Sequence, residues 1–174
     1  MNAKLIRCAV VTSFIAASAC AIYIISLHEI FQLNPFGRFK YLYIGLYALF
    51  FAGGMMYFRD KLNQGMMSGQ QGLGFGFVLN ATASLLYGGI LLLYLQAFDA
   101  DQSALNVYLE ESLALLENSK EHLVETLSQQ DYDTTRQNLL ALTPKQLAFD
   151  QLTGIFLVGM FHTFLFMLFF KRSK

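Results

Sequence analysis

Apolar residues fall in four long uninterrupted runs, and the polar residues lie between them. The runs are Cys8–Leu27, Tyr41–Phe58, Leu73–Phe98 and Leu152–Phe170. Charge bounds each one: Arg7 and Glu29 flank the first, Arg59-Asp60-Lys61 closes the second, Asp99 the third and Lys171-Arg172 the fourth. A helix that crosses a bilayer needs about 20 mostly apolar residues, so all four runs qualify. They do not alternate apolar with polar positions, which excludes a closed β-barrel. The pattern predicts an all-α polytopic membrane protein with four transmembrane helices. Residues 1–98 carry three spans and short loops, residues 99–151 a polar segment, and residues 152–174 the fourth span with a basic end.

The polar segment has a helical period of its own. Leu105, Tyr108, Leu109, Leu113, Leu116, Leu123 and Leu127 recur at that spacing, with Glu110, Glu111, Glu117, Glu121 and Glu125 on other faces. This predicts an amphipathic helix from about Asp101 to Ser128. Gln129-Gln130-Asp131-Tyr132-Asp133 breaks the pattern and predicts a turn, followed by a shorter helix over Thr134–Leu142. Thr143-Pro144-Lys145-Gln146 then reads as a capping box with proline at the first helical position. The last helix is therefore expected to start near Pro144, before its apolar run, and to continue to Phe170. Some fifty residues of this kind have too little apolar surface for an independent core. The leucine stripe must cover the mouth of the bundle, the bilayer interface or a partner helix.

Composition supports the membrane reading. Apolar residues make up 55% of the 174 and charged residues 14%, with a mean hydropathy of +0.44. Soluble domains carry roughly 25% charge, and disorder needs low hydrophobicity, so both classes are excluded. The formal net charge of +0 gives no reason to expect a nucleic-acid partner. Lys and Arg mark the cytoplasmic side of a membrane protein. With the N-terminus inside, the inner segments hold Lys4, Arg7, Arg59, Lys61, Lys171, Arg172 and Lys174. The outer ones hold Arg38, Lys40, Lys120, Arg136 and Lys145, spread over far more chain. This predicts N-in, C-in topology in a bacterial inner membrane. Trp is absent, so Tyr41, Tyr43, Tyr47 and Tyr94 are expected to form the outer aromatic belt and Tyr57 the inner. Ala17-Ser18-Ala19-Cys20 fits a signal-peptide cleavage pattern and loosely a lipoprotein box. The apolar run continues past Cys20, however, so an uncleaved helix is expected.

Candidate chemistry is sparse. Gly72, Gly76, Asn80, Ser84 and Gly88 follow one another at four-residue spacing on the third span. Such a stripe lets another helix lie close, and Gly53-Gly54 on the second span offer a matching small surface. Asn80 and Ser84 could also line a polar seam. His162 lies near the middle of the fourth span, and an ionisable group there needs a partner. By depth alone, Ser84 is at its level and Asn80 about 6 Å nearer the cytoplasm. The Gly-rich stretch 69–76 has neither the preceding strand nor the Lys-Ser/Thr of a phosphate loop. Glu117, Glu121, His122 and Glu125 resemble half of a carboxylate–histidine metal site with no second half. His28, at the outer end of the first span, reads as an ordinary interfacial histidine. Cys8 and Cys20 are about 18 Å apart along one helix and cannot pair. No H-E-x-x-H, G-x-S-x-G or Cys-x-x-Cys occurs, so neither an enzyme, a cofactor nor a bound metal is expected.

The order of features has a parallel. Tyr57-Phe58-Arg59-Asp60-Lys61, the Gly/Ser/Gln-rich segment from Gly65 to Gly76, a long third span ending Phe98-Asp99-Ala100-Asp101, and a Thr-Pro before a short basic-ended span resemble the bacterial inner-membrane family called domain of unknown function 4199. The resemblance covers nearly the whole chain. It implies a four-helix integral membrane protein and supplies no activity or site residue. The expected role is a noncatalytic accessory or scaffold protein. Its ligand-like surroundings would be the lipid bilayer, and a protein partner or a second copy would use the 101–128 helix. The alternative is a small transporter or channel component using the Asn80, Ser84 and His162 seam.

Overall fold

The computed structural model describes residues 2–99 and 101–172. Ala100 of the third-span motif and Lys174 of the basic end lie outside them. The described residues form seven α-helices and no strand: α1 Ala3–Glu29, α2 Leu42–Tyr57, α3 Gly69–Leu93, α4 Ser103–Asn118, α5 Lys120–Thr126, α6 Gln129–Leu140 and α7 Pro144–Phe170. A 3-10 turn at Arg38–Tyr41 leads into α2, and wider π-type turns at Phe58–Leu62 and Tyr94–Phe98 extend α2 and α3. With these extensions, four helices are long and apolar enough to cross a membrane: Ala3–Glu29, Arg38–Leu62, Gly69–Phe98 and Pro144–Phe170. They suggest a membrane protein.

Local chemistry sets the starts. The Asn2 side chain accepts from the Lys4 N–H. Ser68 and Gln71 form a reciprocal capping box at α3, as Thr143 and Gln146 do at α7, where Pro144 occupies the first turn. The α7 start is the one expected from the sequence. The polar segment differs from expectation in two ways. The helix over 101–128 breaks at Ser119 into α4 and α5. Residues 129–133 form the first turn of α6 rather than a separate turn, because the Ser128 hydroxyl caps the Asp131 N–H at 3.1 Å. Their polarity reflects an exposed helix start, which a periodicity argument mistakes for a break.

The four long helices form a ring in which α3 packs against α1 and α7, and α2 closes the other side against the same two. α2 and α3 are therefore diagonal, and their large side chains meet in the middle: Tyr47, Phe51, Phe75 and Tyr87 are fully buried. The outward positions are also apolar, among them Ile22, Leu49, Phe77, Leu85, Leu157 and Leu168. A surface of this kind is a liability in water and suits hydrocarbon. Tyr41 and Tyr57 are exposed, as an interfacial belt requires. Tyr43, Tyr47 and Tyr94 are instead turned into the bundle. Depth along the chain placed them at the interface, but rotation about the helix axis put their rings in the core.

Both ends of the ring are tied. At the end holding the α1 start, Met67 and Arg172 exchange backbone hydrogen bonds of 3.1 and 2.9 Å, fastening the α2–α3 loop to the end of α7. At the other end α4, α5 and α6 form a helical cap. Ala104 and Leu105 are buried against the bundle, and Tyr108 and Leu109 pack on it. Phe36 meets Tyr108 edge-on at 6.1 Å, and Asn34 donates to Glu111 at 2.7 Å. α6 folds back on α4 and α5 through Tyr132, whose hydroxyl donates to Glu117. The leucine stripe thus covers the bundle over its first two turns only; further on, Leu113, Leu116 and Leu123 are half-buried, and Leu127 and the off-stripe Leu115 stay more than 60% exposed.

Candidate functional site

The small stripe on α3 is where helices touch. A Cβ on Gly76 would lie 2.5 Å from Thr163 Cγ2, on Gly88 2.7 Å from Leu152, and on Gly72 3.0 Å from Met167. All three contacts are with α7, so α3 and α7 approach as closely as missing side chains permit. Gly54 plays the same part against Thr12 of α1, at 2.6 Å. Gly53 does not: nothing lies within 4 Å of a Cβ built there. It neighbours Gly54 in sequence but points about 100° away, out of the bundle.

Asn80 is the hub of the interior. It is fully buried, and its carboxamide joins three helices: the Tyr47 hydroxyl of α2 donates to Oδ1 at 3.0 Å, and Nδ2 donates to the Phe156 carbonyl of α7 at 2.9 Å. The Ser84 hydroxyl donates weakly to the same Oδ1 at 3.4 Å. Ser13 of α1 reaches the Leu79 carbonyl at 3.0 Å. Asn80 and Ser84 therefore do share a seam, and protein groups satisfy its polar atoms.

His162 is not part of that seam. No hydrogen bond joins it to Ser84, and its Nδ1 is buried without a partner. Its ring stacks on Phe166 at 5.5 Å and packs beside Tyr47 and Phe51 at 6.0 and 6.1 Å. The physical reason is rotation. Thr163 faces Gly76 of α3, so the preceding residue is turned about 100° toward α2. Depth matched His162 to Ser84, but azimuth separates them. A buried nitrogen with no protein partner carries a desolvation cost. His162→Phe should accordingly keep or raise the unfolding midpoint in detergent, and a clear fall would show that the imidazole has a partner worth keeping.

A second polar cluster, at the capped end, escaped the sequence reading. His28 Nδ1 is 2.7 Å from the Tyr94 hydroxyl, which donates to Glu29 at 2.6 Å. His28 Nε2 is 3.2 Å from the Ser103 hydroxyl, which donates to Asp99 at 2.6 Å. Asp99 is buried and also accepts from the N–H groups of Ser103 and Ala104, at 2.9 and 3.0 Å. Gln102, the residue before α4, has φ 52° and makes no side-chain cap, so Asp99 caps the helix from further back. The cluster is a latch that joins α1, the π-type turn after α3, and the start of α4. π-type turns often mark functional positions.

The acidic helix face holds a simpler pair. The Tyr132 hydroxyl, with Lys120 nearby, keeps the Glu117 carboxyl below its ordinary range, and the same bond pushes the Tyr132 phenol up. Glu121, His122 and Glu125 are exposed to solvent. Among the described residues, no group of three or more His, Cys, Asp or Glu side chains is arranged to hold a metal ion.

The family model for a protein of unknown function (DUF4199) matches residues 8–172, almost the full chain. The chain belongs to that family. No curated protein and no solved structure matches it.

Proposed function

We propose that this member of the DUF4199 family is a noncatalytic accessory or scaffold protein of a bacterial inner membrane, and that its helical cap is the partner-facing element. The observation that carries the reading is the contrast between seam and cap. Inside the bundle the Asn80 carboxamide and the Ser13 and Ser84 hydroxyls all bond to protein groups, with Asn80 bridging Tyr47 and Phe156, while the Tyr87 hydroxyl and His162 Nδ1 have no protein partner. On the cap, Leu115 and Leu127 are left uncovered among carboxylates. A substrate path would require the reverse, with hydrated polar groups inside.

The orientation belongs to the same proposal: N-in and C-in, with residues 99–151 outside. Basic residues Lys4, Arg7, Arg59, Lys61, Lys171 and Arg172 all belong to one end of the ring, which supports it. In a variant without Cys8 and Cys20, a cysteine in place of Ser119 should react with a membrane-impermeant reagent in intact spheroplasts. A cysteine in place of Gln64 should react only after lysis. The opposite pattern would invert the topology.

The role itself is tested by affinity purification in mild detergent. A protein partner or a second copy should co-purify at fixed stoichiometry with the native chain. It should be lost from the Leu115→Glu/Leu127→Glu variant, whose bundle is untouched. Identical bound proteins in both preparations would sink the partner-facing assignment.

A further inference from the structure

Between α1 and α2, at the end opposite the cap, runs an open groove of about 660 Å³. Its walls are Val11, Ile15, Leu49, Phe50 and Tyr57. Gly53 forms its floor, and the absence of a side chain there keeps it open. Lys4 and Arg7 stand at one end of the groove, three residues apart on one face of α1. From Arg7 to Ile15 the groove follows α1 for about 12 Å, the length of several acyl carbons.

Charge is what distinguishes this groove. Two cations line it and no carboxylate does, and neither Lys4 nor Arg7 has an acidic partner among the described residues. A comparable groove between α3 and α7 mixes Lys145 with Asp150. Another beside Tyr94 carries Glu29 alone. The neighbouring Arg59 is already spent on Asp60, at 2.6 Å. Unmixed positive charge at the mouth of an apolar trough fits one kind of molecule from the surrounding bilayer.

We propose that this groove binds an anionic glycerophospholipid, with the phosphate headgroup held by Lys4 and Arg7 and an acyl chain laid over Gly53. The inference rests on the membrane reading above and adds a ligand to it. Gly53, exposed beside the packing glycine Gly54, is then kept small for a lipid chain rather than for a helix.

The test is native mass spectrometry of the detergent-solubilised full chain, titrated separately with phosphatidylglycerol and phosphatidylcholine of the same acyl composition. The native chain should prefer phosphatidylglycerol. Lys4→Gln/Arg7→Gln should erase that preference, with about a fivefold loss per charge for phosphatidylglycerol and a smaller loss for phosphatidylcholine, whose choline offsets its phosphate charge. Gly53→Phe should lower binding of both lipids by filling the trough. Excess inorganic phosphate should displace little. Equal affinity for the two lipids, retention of the preference without Lys4 and Arg7, or full displacement by inorganic phosphate would each overturn the proposal. The surface double variant changes no packed residue, so the answer does not depend on Gly53→Phe folding. Recovery of the native chain in the soluble fraction without detergent would instead defeat the membrane reading itself.

Discussion

Gly159→Ala should lower the unfolding midpoint in detergent sharply, although it adds a single methyl group. A Cβ at residue 159 would land on the Asn80 carboxamide. Asn80 has no room to retreat, because it is fully buried and pinned by Tyr47 on one side and the Phe156 carbonyl on the other. Overpacking of this kind costs about 1–3 kcal/mol. The hydrogen bonds lost if Asn80 turns away add less, since interhelical contacts in membranes average about 0.6 kcal/mol. Packing therefore dominates, which gives the prediction a second arm. Asn80→Ala combined with Gly159→Ala should recover much of the midpoint, because the smaller side chain removes the collision. Gly53→Ala, at an open position, should change little. No fall for Gly159→Ala, or no recovery in the double variant, would mean that α3 and α7 are further apart than described.

Asp99→Ala should release the cap while leaving the bundle folded. The carboxylate takes the Ser103 and Ala104 N–H groups and the Ser103 hydroxyl, and through Ser103 it reaches His28. Loss of a helix cap typically costs about 0.5–2 kcal/mol, and charged acceptors lie at the upper end. Amides of α4 should then exchange roughly 5–30 times faster, while those of α3 keep their protection. Asp99→Asn should fall between, since one acceptor oxygen remains. Under the scaffold reading, the partner lost by Leu115→Glu/Leu127→Glu should also be weakened here, because an unlatched cap must be reordered on binding. Unchanged α4 exchange would show that the cap is held by Leu105 and Tyr108 alone.

The features legible in the sequence are those that depend on neighbours along the chain. The four spans follow from run length, and the start of α7 from Thr143, Pro144 and Gln146. The close approach of α3 follows from glycines four apart. What escaped depends on rotation and on distant partners. His162 was matched to Ser84 by depth, and one residue of helical phase carried it to Phe51 and Phe166 instead. Tyr47, expected at the interface, lies inside as the donor to Asn80. The latch joins His28 to Tyr94 and Ser103, 66 and 75 residues further on, and no local pattern announces such a pairing. Asp99 reads as the charge that ends a span, although its larger task is to start the next helix.

A scaffold bundle has a dry interior, and cysteine accessibility at residue 84 measures that directly. Ser84 is 1% exposed and donates to Asn80. Cysteine is close to serine in size, so Ser84→Cys in a chain lacking Cys8 and Cys20 should fold normally. In membranes, a charged water-soluble methanethiosulfonate should leave this cysteine unlabelled from either side, and denaturation should expose it fully. Labelling of the folded protein at a rate comparable to a surface cysteine at residue 119 would place water in the seam. That result would contradict the scaffold reading and favour a path for a polar substrate through Asn80 and Ser84.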